Sequence, residues 1–379
     1  MHSTSSSRSS HSSLPASLGL AALGLLSLGL AAAPARAQTQ DLFVSNDGTN
    51  TISRFAGTGP GTFSTTATTL SDPNMTLNGP RGLVFDSRGD LFAANFNSTR
   101  SGVNNGNGNT ITEFAAGTTP GTLGAGTVAL TGGLTGPEGL AFDSHGDLFA
   151  ANANSGSITE FAFTPGTGTT PGTFGAGTAA LTGLSAPGGL AFDAKGDLFA
   201  ANLNSSTITE FAFTPGTGTT PGTFGAGMTF ATSASGLSGP RGLVFDSRGD
   251  LFAANIQNST ITKFAFNAVS GTFGAGTNFT DPSLGAPFGL AFDARGDLFA
   301  VNVSGSITEF AFTAGTGTTP DTLGAGMVVE TGLSSPRFLT FGPSAPPAVP
   351  EASTTVSLGL LLALGLGGLV VAARKRRKG

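Results

Sequence analysis

Residues 79–95 read GPRGLVFDSRGDLFAAN, and residues 239–255 repeat them letter for letter. Looser copies begin at Gly136 (GPEGLAFDSHGDLFAAN), Ala186 (APGGLAFDAKGDLFAAN) and Ala286 (APFGLAFDARGDLFAVN). A chain of 379 residues could hold two or three ordinary domains, but a repeat of this kind builds one array. Gly (59 residues), Ser and Thr are abundant and only 10% of residues are charged. Val, Ile, Leu and 31 Phe nevertheless recur at fixed positions, so there is apolar surface to bury and the chain reads as all-β.

Each unit divides into strands. In the first copy GLVFD (82–86) is a short apolar strand, SRG a turn, DLFAAN (90–95) a second strand and TITEFA (110–115) a third, more polar one. A fourth follows, as in GTFGAGTAALT (172–182). The first two strands are apolar on both faces, which a sheet tolerates only when covered on both sides. Four antiparallel strands in a unit of about 50 residues, packed between two neighbours, make a propeller blade. The DLF segments start at Asp41, Asp90, Asp147, Asp197, Asp250 and Asp297, and a proline precedes each first strand at Pro80, Pro137, Pro187, Pro240, Pro287 and Pro336. Both series number six and they are out of phase. The chain opens without a first strand and closes on SPRFLTF without a second, so the expected fold is a six-bladed β-propeller of four antiparallel strands per blade. Its ring is closed by the N- and C-terminal strands.

The pattern P-x-G-L-[A/V]-F-D-x-x-G-D-L-F-x-x-N resembles the NHL-type repeat and the gluconolactonase-like six-bladed propellers, over residues 41–341. Such propellers include scaffolds, lactonases and lyases, so the resemblance speaks for the fold more than for the activity. For the enzymes it implies a divalent ion in the central channel, held by Glu, Asn and Asp from different blades.

Both ends of the chain differ from this body. Arg8, the apolar run from Ser17 and the small-x-small triplet ending Ala35, Arg36, Ala37 read as a signal peptide over 1–37, with Gln38 the new N-terminus. The propeller is assigned 38–342, a linker 343–354, a transmembrane helix 355–373 and a basic cytoplasmic tail 374–379. The order of Val349, Pro350, Glu351, the apolar span and the basic end resembles the PEP-CTERM sorting signal, although Ala352 stands where the family usually has a second Pro. That resemblance implies a Gram-negative bacterium, transient residence in the inner membrane and an exosortase as processing partner. The cell envelope or extracellular matrix, often beside exopolysaccharide, is the implied destination. No cysteine is present, so no disulfide framework supports the exported body.

The residues offer little for catalysis. The mature body holds one histidine, His145, in the turn where the other copies carry Arg88, Lys195, Arg248 and Arg295, so it reads as an interchangeable polar residue. Asp86 and Gly89 read as a hairpin turn rather than a calcium loop. The Gly-rich TPGTGTTPGTFGAG at Thr164 and Thr214 has no helix to follow it and reads as a connection between outer strands. Asn46, Asn95, Asn152, Asn202, Asn255 and Asn302 read as caps of the second strands. Glu113, Glu160, Glu210 and Glu309 share one site on the third strand and are expected to point at solvent. No catalytic residue, metal ligand or cofactor is assigned. With 10 basic and 21 acidic residues between 38 and 348, the body has the wrong sign for nucleic acid.

One feature escapes the repeat. The residue after each proline should line one rim of the channel: Arg81, Glu138, Gly188, Arg241, Phe288 and Arg337. Three arginines there would focus field on an anion, an envelope polysaccharide bearing uronates being the candidate partner. The plainer expectation is a set of solvated or surface-paired arginines worth about 0–1 kcal/mol per pair. On these grounds the chain reads as an exported, non-catalytic binding or structural module; the alternative is a metal-dependent hydrolase or lyase acting around Glu138.

Overall fold

Leu91–Asn95 (LFAAN) is buried at every position, and so are its counterparts Leu42–Asn46, Leu148–Asn152, Leu198–Asn202, Leu251–Asn255 and Leu298–Asn302. Side chains alternate across a strand, so Leu91 and Ala93 go to one face while Phe92 and Ala94 go to the other. The first pair packs with Phe43, Ile52 and Leu83, and the second with Leu140, Leu148, Ala150 and Phe161. Covering both faces of each second strand requires a blade on either side, and around a ring every blade has two neighbours.

The computed structural model describes residues 40–59, 61–96, 108–119, 121–166, 172–216, 222–313 and 322–343. Six four-stranded antiparallel sheets result. Blade 1 comprises Pro336–Phe341, Leu42–Asn46, Thr51–Phe55 and Thr68–Thr69. Blade 2 runs Pro80–Phe85, Leu91–Asn95, Thr110–Phe114 and Thr127–Leu130; blade 3 runs Pro137–Phe142, Leu148–Asn152, Ser157–Phe161 and Thr178–Thr182. Blade 4 runs Pro187–Phe192, Leu198–Asn202, Thr207–Phe211 and Met228–Ala231. Blade 5 runs Pro240–Phe245, Leu251–Asn255, Thr260–Asn267 and Thr272–Thr280, and blade 6 runs Pro287–Phe292, Leu298–Asn302, Ser306–Thr313 and Thr322–Glu330. An apolar cluster fills each of the six junctions. Edge-to-face phenylalanine pairs recur inside them, as in Phe149 against Phe192 at 5.2 Å.

The ring closes as the phase of the repeats requires. The C-terminal strand pairs antiparallel with the N-terminal one, Leu42 opposite Phe341, Phe43 opposite Thr340 and Val44 opposite Leu339. The fourth strand departs from the expected form. Residues 172–182 are not one strand: Thr173–Phe174 forms a small hairpin with Phe163–Thr164, and the blade's own fourth strand starts at Thr178. At the break the chain runs close to Gly132, where a Cβ on Gly177 would lie 2.4 Å from the Gly132 carbonyl oxygen. Blades 5 and 6 instead keep one nine-residue strand there.

Polar side chains hold the loops in register. Asn95 Oδ1 accepts from the Asn78 amide at 3.0 Å, while its Nδ2 donates to Thr110 Oγ1 and Thr112 Oγ1, each at 2.9 Å. Asn152, Asn202, Asn255 and Asn302 make the same bonds in their blades, which accounts structurally for five of the six asparagines, while Asn46 keeps only the Nδ2 bonds, to Thr51 Oγ1 and Ser53 Oγ. Asp86 Oδ1 accepts from the Arg88 and Asp90 amides at 2.9 Å, and Gly89 closes the turn at φ +89°.

The expected signal peptide with Ala35, Ala37 and Gln38, the sorting motif Val349, Pro350 and Glu351, the span 355–373 and the basic tail 374–379 lie outside the described residues. Among the described residues, no helix is long and apolar enough to cross a membrane.

Closure gives a direct test. Removing residues 335–341 strips Leu339 and Phe341 from the junction of blades 6 and 1 and bares the edge of Leu42–Asn46. The loss of such core side chains costs about 2–5 kcal/mol each, so the melting temperature followed by circular dichroism should fall by at least about 5 °C. A truncated body that melts with the full-length one would contradict the ring.

Candidate binding site at the channel mouth

Each first strand begins with Pro opposite the Asn that ends the second strand, and then slips register before its Leu; in blade 2 the pairs are Pro80 with Asn95 and Leu83 with Ala93. The slip recurs in blades 3 to 6. A bulge at a rim re-aims the residues within it, and here these are the residue after the proline and a glycine. The glycine is a matter of space. A Cβ on Gly82 would stand 2.4 Å from the Glu138 carbonyl oxygen of the next blade, and the same holds for Gly189 against Arg241 and Gly242 against Phe288. First strands thus crowd backbone to backbone around the channel, and the side chains after the prolines gather at one end of it. In blade 1 the glycine is replaced by Phe338, whose ring meets Phe288 edge-on at 5.3 Å.

The structure brings the expected rim residues together, though not as solvated arginines. Glu138 is fully buried. Its Oε2 accepts from Arg81 Nη1 at 3.1 Å, and its Oε1 accepts from Arg241 Nη1, reaching past blade 4, where Gly188 contributes no side chain. Arg337 is buried as well, donating from Nε at 3.2 Å and Nη2 at 3.0 Å to Asp47 Oδ2, which lies 3.9 Å from Arg81 Nη2. A chain of alternating charge therefore runs Arg337, Asp47, Arg81, Glu138, Arg241. Three guanidiniums against two carboxylates leave it a formal charge of +1. Burial pulls the Arg81 guanidinium below its ordinary range, with Glu138 opposing.

Phenylalanine rings back the arginines. Arg81 lies over Phe96 with its guanidinium carbon 3.3 Å from the ring centroid, and Phe288, itself buried, sits between Arg241 at 5.1 Å and Arg337 at 5.0 Å. The Nε of Arg81 and the Nε of Arg241 are buried and have no acceptor among the described residues. These are therefore not surface pairs worth about 0–1 kcal/mol: breaking a buried pair by truncating one partner costs about 3–5 kcal/mol, because the other charge is stranded.

Asp47 was not singled out by the sequence reading, although a signal existed. It follows the Asn that ends the second strand, where the other copies have Phe96, Ala153, Leu203, Ile256 and Val303. An acid in an otherwise apolar column marks a blade with a different task.

The opposite end of the first strands carries the hairpin turns. There Glu113, Glu160 and Glu210 are half-buried and Glu309 is buried, so the expectation that they point at solvent does not hold. They stand across the second strand from the hairpin, Glu160 facing Phe149 in register. Burial raises all four above the ordinary carboxylate range, and neighbouring aspartates add to it: Asp147 and Asp143 for Glu160, Asp197 and Asp193 for Glu210. His145, 65% exposed at its side chain, holds Nδ1 3.2 Å from Asp143 Oδ2. It stands toward Phe213 of the next blade much as Arg88 stands over Phe163, Lys195 over Phe266 and Arg248 over Phe312. A cleft of about 590 Å³ opens there between blades 3 and 4, but Asp143 Oδ1 and Asp147 Oδ1 are engaged by backbone amides. Among the described residues no group of three or more His, Asp or Glu side chains is arranged to hold a metal ion.

Known structures place this architecture. A chain in the crystal structure of a nidogen/laminin complex superposes with a TM-score of 0.55 at 16% identity, covering 81% of this chain and 100% of that one. The periplasmic gluconolactonase of Pseudomonas aeruginosa gives 0.52 at 17%, covering 81% and 99%. A putative 6-phosphogluconolactonase from Bacteroides uniformis gives 0.50 at 19%, covering 79% and 84%. The likeness is one of fold. No protein-family model and no curated protein matches the sequence. One of these chains belongs to a nidogen/laminin complex and the other two are named as lactonases, one of them putative, so the fold leaves the activity open.

The hairpin carboxylates yield a pH test. A glutamate whose folded-state value is raised holds its proton longer in the folded protein than in the unfolded chain. Its contribution is therefore fully favourable below the unfolded value and is lost as pH rises through the raised one. Replacing Glu160 and Glu210 together by Gln should raise the melting temperature by about 1–2 °C at pH 7, and the gain should vanish by about pH 4, near the ordinary carboxylate value. An equal gain at both pH values would show that ionisation is not its source.

Proposed function

We propose that the protein is an exported, non-catalytic binding module of the Gram-negative envelope or extracellular matrix, which takes anionic polymer at the channel mouth. The observation that carries this reading is the convergence of Arg81, Arg241 and Arg337 from three blades, backed by Phe96 and Phe288, on a body of net negative charge. Low-dielectric walls focus such a field, and guanidinium N–H groups suit carboxylates. The surroundings of Glu138 favour binding over hydrolysis: each of its oxygens is held by a guanidinium, and two such cations repel a divalent metal ion.

The ligand test uses polygalacturonate against uncharged dextran. The wild-type protein should bind the first and not the second, with affinity lost above about 0.5 M salt, where screening acts within a few ångströms. Arg241→Gln, checked for folding by circular dichroism, should bind at least about tenfold more weakly, the worth of one charge-assisted hydrogen bond. Undiminished binding by Arg241→Gln would place the polymer elsewhere.

Export and sorting rest on the sequence signals at the two ends. Mass spectrometry of protein released by the host should show Gln38 at the N-terminus and no Arg374–Lys378 segment, and changing Pro350 and Glu351 should retain the protein in the inner membrane. Released protein that still carries the basic tail would leave a plain membrane anchor in place of the sorting signal.

A further inference from the structure

We infer that Glu138 is a tethered occupant of the carboxylate slot, so that the mouth is held shut against free carboxylates until one displaces it. This rests on the reading of the mouth as an anion site, and it adds the ligand's chemical class and the residue that sets its affinity.

Three observations support it. Glu138 is the sole acid among the six residues that follow the prolines, and its carboxylate spans guanidiniums from blades 2 and 5, one oxygen to each. That is the geometry in which an external carboxylate would bind, one planar group bridging two arginines. The gap it crosses is the one blade with no side chain at this position. A Cβ on Gly188 would lie 3.3 Å from Arg241 Cδ, so even one carbon there would press on the arginine. Finally, Glu138 does not saturate its partners. Arg81 Nε and Arg241 Nε remain buried donors without acceptors among the described residues, although Nη1 of each is held by Glu138. A buried donor left unmet is costly, and a ligand carboxylate with neighbouring hydroxyl oxygens, as on a uronate, has more acceptors than Glu138 can offer.

The tether sets the affinity. A carboxylate fixed on the blade competes with a free one at the high effective concentration of an intramolecular group, and its charge repels a second anion within a few ångströms. Removing the charge while keeping the shape lifts both effects. Arg81, Arg241 and Arg337 would then face Asp47 alone, and the formal charge of the mouth would rise from +1 to +2. Glu138→Gln retains the volume and one acceptor oxygen, so Arg81 or Arg241 keeps a partner.

The probe is galacturonate, with galactose as the control lacking the carboxylate, followed by calorimetry and by the shift in melting temperature on the mature body. Glu138→Gln should bind galacturonate with one-to-one stoichiometry and at least about tenfold more tightly than the wild-type protein, and should ignore galactose; the melting temperature of the variant should rise with galacturonate concentration. Glu138→Asp, which keeps the charge but is too short to span both arginines, should fall between the two and carries the test if the glutamine variant does not fold. Binding by Glu138→Gln or Glu138→Asp no tighter than wild type, including none in any form, overturns the inference. The underlying reading fails separately, when Arg241→Gln and wild type bind polygalacturonate alike. If Arg241→Gln loses the polymer and neither Glu138 variant gains galacturonate affinity, the mouth is an anion site and Glu138 is only part of its frame.

Discussion

Everything in this molecule depends on the burial of the second strand from both sides. A strand such as Leu148–Asn152, with Leu148 and Ala150 on one face and Phe149 and Ala151 on the other, has no polar surface with which to meet water. It needs two neighbours, and the neighbours need two more, so the array has no acceptable end short of a ring. Each fully buried aliphatic or phenylalanine side chain contributes about 1.5–3 kcal/mol relative to exposure, and the six junctions each hold several. The hydrogen-bonded asparagines and aspartates set register and turn shape within that frame. They are consequently unavailable for chemistry, which is why so polar a repeat yields so little of a catalytic site.

The channel mouth is where the six copies stop being equivalent. Repeat residues build the wall, and single departures from the repeat furnish it: Glu138, Asp47, Phe288, Phe338 and the three arginines. The result is a buried network with a small positive excess, stiffened by ring contacts and left with unmet donors. Such a network is costly to disturb, because removing one charge strands its buried partner.

Much of this was legible in the sequence, for identifiable reasons. The blade count and the mode of closure followed from two residue series that are out of phase, and the rim residues from the position after each proline. The pairing was not legible. Glu138 lies 57 residues from Arg81 and 103 from Arg241, and only the curvature of the ring brings them together. The half-burial of Glu160 was hidden because the alternation along one strand does not reveal what the adjacent blade lays over it. The break in residues 172–182 was hidden because the same TFGAGT run is interrupted in blade 3 and continuous in blade 5, so no local pattern records it.

The blade assembled from both ends of the chain has an evolutionary consequence. Because Pro336–Phe341 pairs with Leu42–Asn46 whatever lies between them, a gene that gains or loses one whole unit still encodes two ends that match. Near-identical copies, such as residues 79–95 and 239–255, invite such slippage during replication. The constraint on unit number lies in the mouth. A unit inserted between blades 3 and 5 would carry Arg241 away from Glu138, strand a buried carboxylate and open the alternating chain of charge, so this network constrains a count that closure alone would leave free.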